Sequence, residues 1–263
     1  MQSILFDLDG VIYEGGDVIP GAVDAIQWFK QRDIPHLFLT NTTSVPRSGL
    51  VDKLAGFGIE THTDNFLTPA AAANRWLSHH VENKIALFVT EATVSEFDRF
   101  DITDDPEDDI DAVVIGDIGE AWDFATMNRA FRMLVNNPDA HLIALGKTRY
   151  WKGADGMQLD TGPFVVALRY ATKRKPLVLG KPARKFYQAA LAHLATPPEE
   201  TLMIGDDIVG DIKAANKRGF HTVLVRTGKF SELDLNMGIE PNKVLDSIRD
   251  LPEYWESISH IQG

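Results

Sequence analysis

Short apolar runs alternate with amphipathic segments of helical length along almost the whole chain, and few architectures accept that order. Apolar runs at 4–6, 35–39, 85–89, 112–115, 142–145, 177–180, 201–204 and 222–225 read as strands, with a shorter one at 243–245. Between them, apolar residues at helical spacing predict helices over 22–32, 47–57, 68–79, 93–100, 124–135, 162–172, 183–194 and 208–218, with another from 247 onward. Strands that alternate with helices predict an α/β fold with a parallel sheet wrapped by helices. The glycine-rich stretch 11–21 is expected to be a loop or small flap. The tract 98–111, with eight carboxylates, is expected to be a solvated loop. The pattern breaks in the middle and then resumes. This predicts a core domain built from 1–78 and 177–263, with an inserted domain at 79–176.

With 263 residues, 44% of them hydrophobic, the chain can bury a sizeable core. No apolar run is long enough to span a bilayer, and no secretion signal is evident, so no membrane partner is expected. Cysteine is absent, which excludes disulfides and thiolate metal sites, and a cytoplasmic protein is expected. A net charge of −12 argues against nucleic acid and anionic membrane as partners.

Four groups of polar residues stand where a strand gives way to a loop: Asp7 with Asp9; Thr40 with Asn41; Gly180-Lys181-Pro182; and Gly205-Asp206-Asp207 with Asp211. In an open parallel sheet, ligands bind beyond the carboxyl ends of the strands, so all four are expected at one edge. A lone Asp-x-Asp-Gly would read as a solvated turn, but four complementary strand ends suggest phosphoryl transfer. Asp7 is the candidate nucleophile, and Asp9 the group that protonates the leaving oxygen and then takes a proton from water. Thr40 and Lys181 are candidates to bind phosphoryl oxygens, and Asn41 either does the same or braces its loop. Clustered carboxylates repel one another and are costly to desolvate, a cost that Mg²⁺ would offset; Asp206 and Asp211 are placed to complete such a site. Asp207 reads equally as a ligand or as an N-cap of the helix from Ile208. In the inserted domain, Lys147 and Arg149 within the basic and aromatic cluster 147–151 are candidates for a second anionic group of the substrate, or else surface charges. Asp160 caps the next helix or faces the site.

The motifs Asp-Leu-Asp-Gly-Val, Leu-Thr-Asn, Gly-Lys-Pro and Gly-Asp-Asp-x-x-x-Asp, in this order, resemble those of the haloacid-dehalogenase (HAD) superfamily. The insertion of about a hundred residues resembles the cap of its subclass IIA, or NagD-like, phosphatases. The resemblance implies a Rossmann-like HAD core with an inserted α/β cap, and a magnesium-dependent phosphatase acting on a small phosphorylated substrate through an aspartyl-phosphate. It further implies that Asp7, the backbone carbonyl of Asp9 and Asp206 hold the metal, with Asp211 in support, and it is compatible with a homodimer. True dehalogenases lack the second aspartate because a halide leaves without a proton; Asp9 therefore favours a phosphatase. The rival readings are a phosphomutase or phosphotransferase with the same nucleophile, and a non-catalytic protein that keeps the fold.

Overall fold

In the computed structural model, which describes residues 1–153 and 156–259, the first strand, β1 (Ser3–Asp7), is buried at every position. Such burial is what a central parallel strand covered on both faces requires. A small antiparallel hairpin, β2 (Tyr13–Glu14) with β3 (Asp17–Val18), follows within the expected loop. The chain continues through α1 (Ala22–Gln31), β4 (His36–Leu39), α2 (Arg47–Gly56), β5 (Phe66–Leu67) and α3 (Pro69–Leu77). Then come β6 (Lys84–Phe88), the short α4 (Glu91–Val94), β7 (Ile110–Ile115), α5 (Phe124–Asn136) and β8 (His141–Ala144). A second hairpin, β9 (Tyr150–Gly153) with β10 (Gly156–Leu159), precedes α6 (Thr161–Thr172) and β11 (Leu177–Val178). The remainder is α7 (Arg184–Leu194), β12 (Thr201–Gly205), a wide helical turn Ile208–Lys213 leading into α8 (Ala214–Asn216), β13 (His221–Val225), β14 (Lys243–Leu245) and α9 (Leu251–Ser259).

Two compact units divide these elements. The first comprises Met1–Thr40, Ser48–Leu67 and Lys181–Gly263. Its sheet has the order β14-β13-β12-β1-β4-β5, and every pairing in it is parallel. Phe6, Phe29, Phe38 and Trp255 are among the large side chains of its core, with Phe6 edge-on to Phe29 at 5.4 Å between ring centres. From β1 the chain moves outward one way to β4 and β5, and later returns to place β12 on the other flank. The order therefore reverses between β1 and β12, the position in doubly wound sheets where a crevice opens beyond the strand ends.

The second unit, Asn41–Arg47 with Thr68–Gly180, holds a parallel four-stranded sheet of order β11-β8-β7-β6 over its own core, in which Val113, Ile115, Leu142 and Met133 are buried. Two segments that the sequence reading assigns to the core domain pack here. α3 joins this unit: Asn74 Nδ2 donates to the Glu96 carbonyl at 2.5 Å, and Trp76 meets the edge of His141 at 4.9 Å. β11, read from sequence as a resumption of the first pattern, pairs with β8. A two-residue strand carries no local mark of which sheet it will join. The acidic tract is tied by ion pairs of Lys84 to Asp108 (2.8 Å), Arg129 to Asp104 (2.8 Å) and Arg132 to Glu107. No helix among the described residues is long and apolar enough to cross a membrane.

Candidate active site

Asp7 ends β1, and its Oδ1 accepts from the Leu8 N–H at 2.8 Å, so the carboxylate turns back against the strand end instead of out to water. The same oxygen accepts from Lys181 Nζ at 2.7 Å, and that ammonium also lies 2.9 Å from Asp211 Oδ1. Asp206 follows β12, beside β1, and Asp211 lies one wide helical turn further on. One carboxylate oxygen from each of Asp7, Asp206 and Asp211 can be chosen so that all lie within 4.8 Å of one another, and all three residues are buried. Asp206 Oδ2 accepts from the Lys229 N–H at 2.7 Å, while its buried Oδ1 has no hydrogen-bond partner among the described residues.

Three carboxylates around one lysine leave a net charge of −2 when all are ionised. Burial is the first cause that raises the pKa of Asp206 to about 6 and of Asp211 to about 7; Asp211 adds to the rise at Asp206, and Asp7 to the rise at Asp211. Burial also raises Asp7, against the opposing pull of Lys181. Lys181 is held well above the ordinary lysine value: burial opposes this, but Asp211 and Asp7 prevail. An all-oxygen donor set with a deficit of two positive charges and an orphaned buried oxygen fits a hard divalent cation such as magnesium.

The close approach of this acid cluster depends on glycine. A Cβ on Gly10 would lie 2.0 Å from Asp206 Oδ2, and one on Gly228 would lie 2.1 Å from the same atom; both residues have positive φ, +82° and +66°. On Gly205 a Cβ would come within 2.5 Å of Asp211 Oδ2. Thr227 Oγ1 donates to the Gly10 carbonyl at 2.5 Å, joining the loop after β13 to the loop after β1. Sequence reasoning missed this 227–229 loop, although a Thr-Gly pair one residue past a strand was an available signal.

The other candidates are distributed as follows. Thr40 is buried and directly follows Leu39, the residue that pairs with Asp7 across β1 and β4. Asp9 lies beyond the end of β1 and is exposed. Asp207 caps the following helical turn, its Oδ1 accepting from the N–H groups of Val209 (2.9 Å) and Gly210 (2.7 Å). Asn41 belongs to the second unit, where its Oδ1 lies against Gly180. Lys147 and Arg149 are exposed in that unit, and Arg149 sits 5.5 Å over the Tyr150 ring. Asp160 is the N-cap of α6, accepting from the Thr161 N–H at 2.5 Å.

Two family models match the chain: a haloacid dehalogenase-like hydrolase over residues 4–103 and a HAD-hydrolase-like model over 178–251. The phospholysine phosphohistidine inorganic pyrophosphate phosphatase of Xenopus laevis is 37% identical over 239 residues, which span 89% of this chain and 86% of that protein. The haloacid dehalogenase-like hydrolase domain-containing protein 2 of Mus musculus is 36% identical over 234 residues, 89% of this chain and 87% of that one. Among solved structures, NagD from E. coli K-12 superposes with a TM-score of 0.84 at 26% identity, over 95% of this chain and 98% of the other. The chain belongs to the haloacid-dehalogenase-like hydrolases, in their NagD-like subclass, with a Rossmann-like core and an inserted α/β cap.

Proposed function

We propose that this chain, a phosphohydrolase of the HAD family, hydrolyses a small phosphomonoester or related phosphoryl compound through an aspartyl-phosphate on Asp7, with Mg²⁺ bound by Asp7, the Asp9 carbonyl, Asp206 and, in support, Asp211. The observation that carries the reading is the buried Asp7–Lys181 pair inside an acid cluster two positive charges short of neutrality. Asp7 forms a bond to phosphorus as the ester P–O bond breaks. Exposed Asp9 gives its proton to the departing oxygen. Asp9 then accepts a proton from the water that attacks phosphorus, the bond to Asp7 breaks, and inorganic phosphate leaves. Lys181 and Thr40 bind the phosphoryl oxygens, with Asn41 assigned the same task. Magnesium, when bound, offsets the carboxylate charge and stabilises charge developing on the phosphoryl group.

The similarity to a phospholysine phosphohistidine inorganic pyrophosphate phosphatase supports a small substrate or an exposed phosphorylated side chain. In the cap, Lys147, Arg149 and Asp160 are assigned to substrate recognition. The test is phosphate release from p-nitrophenyl phosphate with magnesium and with chelator, in wild type and in Asp7→Asn. Release that needs magnesium and is abolished by Asp7→Asn is expected. Full activity in that variant would refute the nucleophile, and phosphate passing to an added alcohol in place of water would favour a phosphotransferase.

A further inference from the structure

α7 breaks a local rule. Its first residues, Arg184 and Lys185, are cations at the end of the helix where the backbone dipole disfavours positive charge; no acid stands in that turn and no side chain caps it. Beside Arg184 lies a groove of about 420 Å³, in which Lys217 and Arg218 supply two more cations, and Leu191 and Pro198 part of the apolar wall. No carboxylate lines it. Glu199 and Glu200, in the turn begun by Pro198, make no ion pair with the three cations among the described residues. In a chain of net charge −12, a groove whose charged lining is all cationic is a local exception.

Arg218 is held firmly. Its Nη2 donates to the Pro182 carbonyl at 2.9 Å, its Nη1 donates to the Ala214 carbonyl, and its guanidinium lies 4.9 Å over the Tyr187 ring. Among the described residues its buried Nε has no hydrogen-bond partner. Burial pulls its pKa below the ordinary arginine value, Tyr187 opposes this, and the Arg184 charge adds to the fall.

We propose that this groove binds a small multivalent oxyanion of the diphosphate class. A monocarboxylate would neutralise one of three cations, whereas two linked phosphate groups supply enough charge and acceptors for all of them. A fixed, planar guanidinium favours oxygens on a common phosphorus, and the groove has room for two such groups. The site uses none of the residues assigned to hydrolysis, so it stands or falls separately from the proposed reaction.

Methylenediphosphonate, which cannot be hydrolysed at its bridge, is the probe, titrated calorimetrically into the full chain in magnesium-free buffer. R184Q/K217Q changes two exposed side chains, and an unaltered melting temperature will confirm its fold. The double variant is expected to bind one equivalent fewer than wild type, or to bind that equivalent at least tenfold more weakly, with kcat for p-nitrophenyl phosphate within twofold of wild type. Unchanged stoichiometry and affinity in the variant would overturn the site. Tighter competition by hexaglutamate than by inorganic pyrophosphate would overturn the small-anion assignment in favour of an acidic peptide.

Discussion

Lys181 Nζ lies 2.7 Å from Asp7 Oδ1, although 174 residues separate them in the chain. The same ammonium is 2.9 Å from Asp211, so one buried cation serves two buried carboxylates. Replacing Lys181 by Met leaves both acids facing each other without it. Loss of a partner from a buried pair costs about 3–5 kcal/mol, and loss of a positive group aimed at developing charge costs about 10²–10³ in kcat. Lys181→Met is therefore expected to lower both the urea midpoint and kcat. A variant with wild-type turnover would remove Lys181 from the reaction.

Stability of the metal-free protein should depend on pH in a defined direction. Asp206 and Asp211 have folded values of about 6 and about 7 against an ordinary 3.8. Between those limits the folded chain holds more protons than the unfolded one, so stability is greatest below the ordinary value and is lost as pH rises toward 7. For each group the loss is at most about 1.4 kcal/mol per pH unit separating its folded from its ordinary value. Melting with chelator from pH 4.5 to 7.5 should show a decline that Asp211→Asn makes shallower. Magnesium should stabilise most at the high end, where the ligands are deprotonated. Identical slopes for wild type and Asp211→Asn would contradict the buried-acid account.

Gly228 has no room for a methyl group. Ala there would require positive φ and a Cβ 2.1 Å from Asp206 Oδ2. Gly228→Ala is expected to cost roughly 1–3 kcal/mol through backbone strain and to weaken magnesium activation by displacing Asp206. Gly219→Ala is the control, because it also has positive φ but meets no atom within 4 Å. Equal magnesium dependence in the two variants would separate the loop from the metal site.

Asp207 is expected to act as a cap and not as a ligand. Its carboxylate already accepts from two N–H groups of the turn it opens. Asp207→Ala should cost about 1 kcal/mol in stability with little change in the magnesium concentration needed for half-maximal activity. A large rise in that concentration would make Asp207 part of the metal site.

In the cap, Glu96 is buried and accepts from the Arg47 backbone N–H at 2.7 Å and from Arg47 Nε at 2.9 Å. Glu96→Ala is expected to destabilise by about 1–3 kcal/mol, because it removes the carboxylate that accepts two hydrogen bonds in a partly buried setting. Chemical denaturation would register this, and a change below about 0.5 kcal/mol, the size typical of a surface substitution, would show that the pair is solvated.

Local pattern alone determined a good deal. The runs around Ile4–Phe6, Leu37–Leu39 and Leu202–Ile204 are strands because a parallel strand covered on both faces must be apolar throughout, and such runs declare themselves without knowledge of their neighbours. The polar residues closing those runs were readable for the same reason: an aspartate at the end of an apolar strand is conspicuous. Only tertiary structure decided which sheet received the two residues of β11, that α3 packs with the second unit, and that Asp207 turns to cap while Asp206 turns inward. The Thr-Gly pair of the loop after β13 could have marked a turn, but only the tertiary structure decided that Gly228 and Lys229 approach Asp206 from a different strand. Periodicity records which face of an element is buried. It does not record the partner, because contacts between distant residues arise from strand order and loop path, which no local window contains.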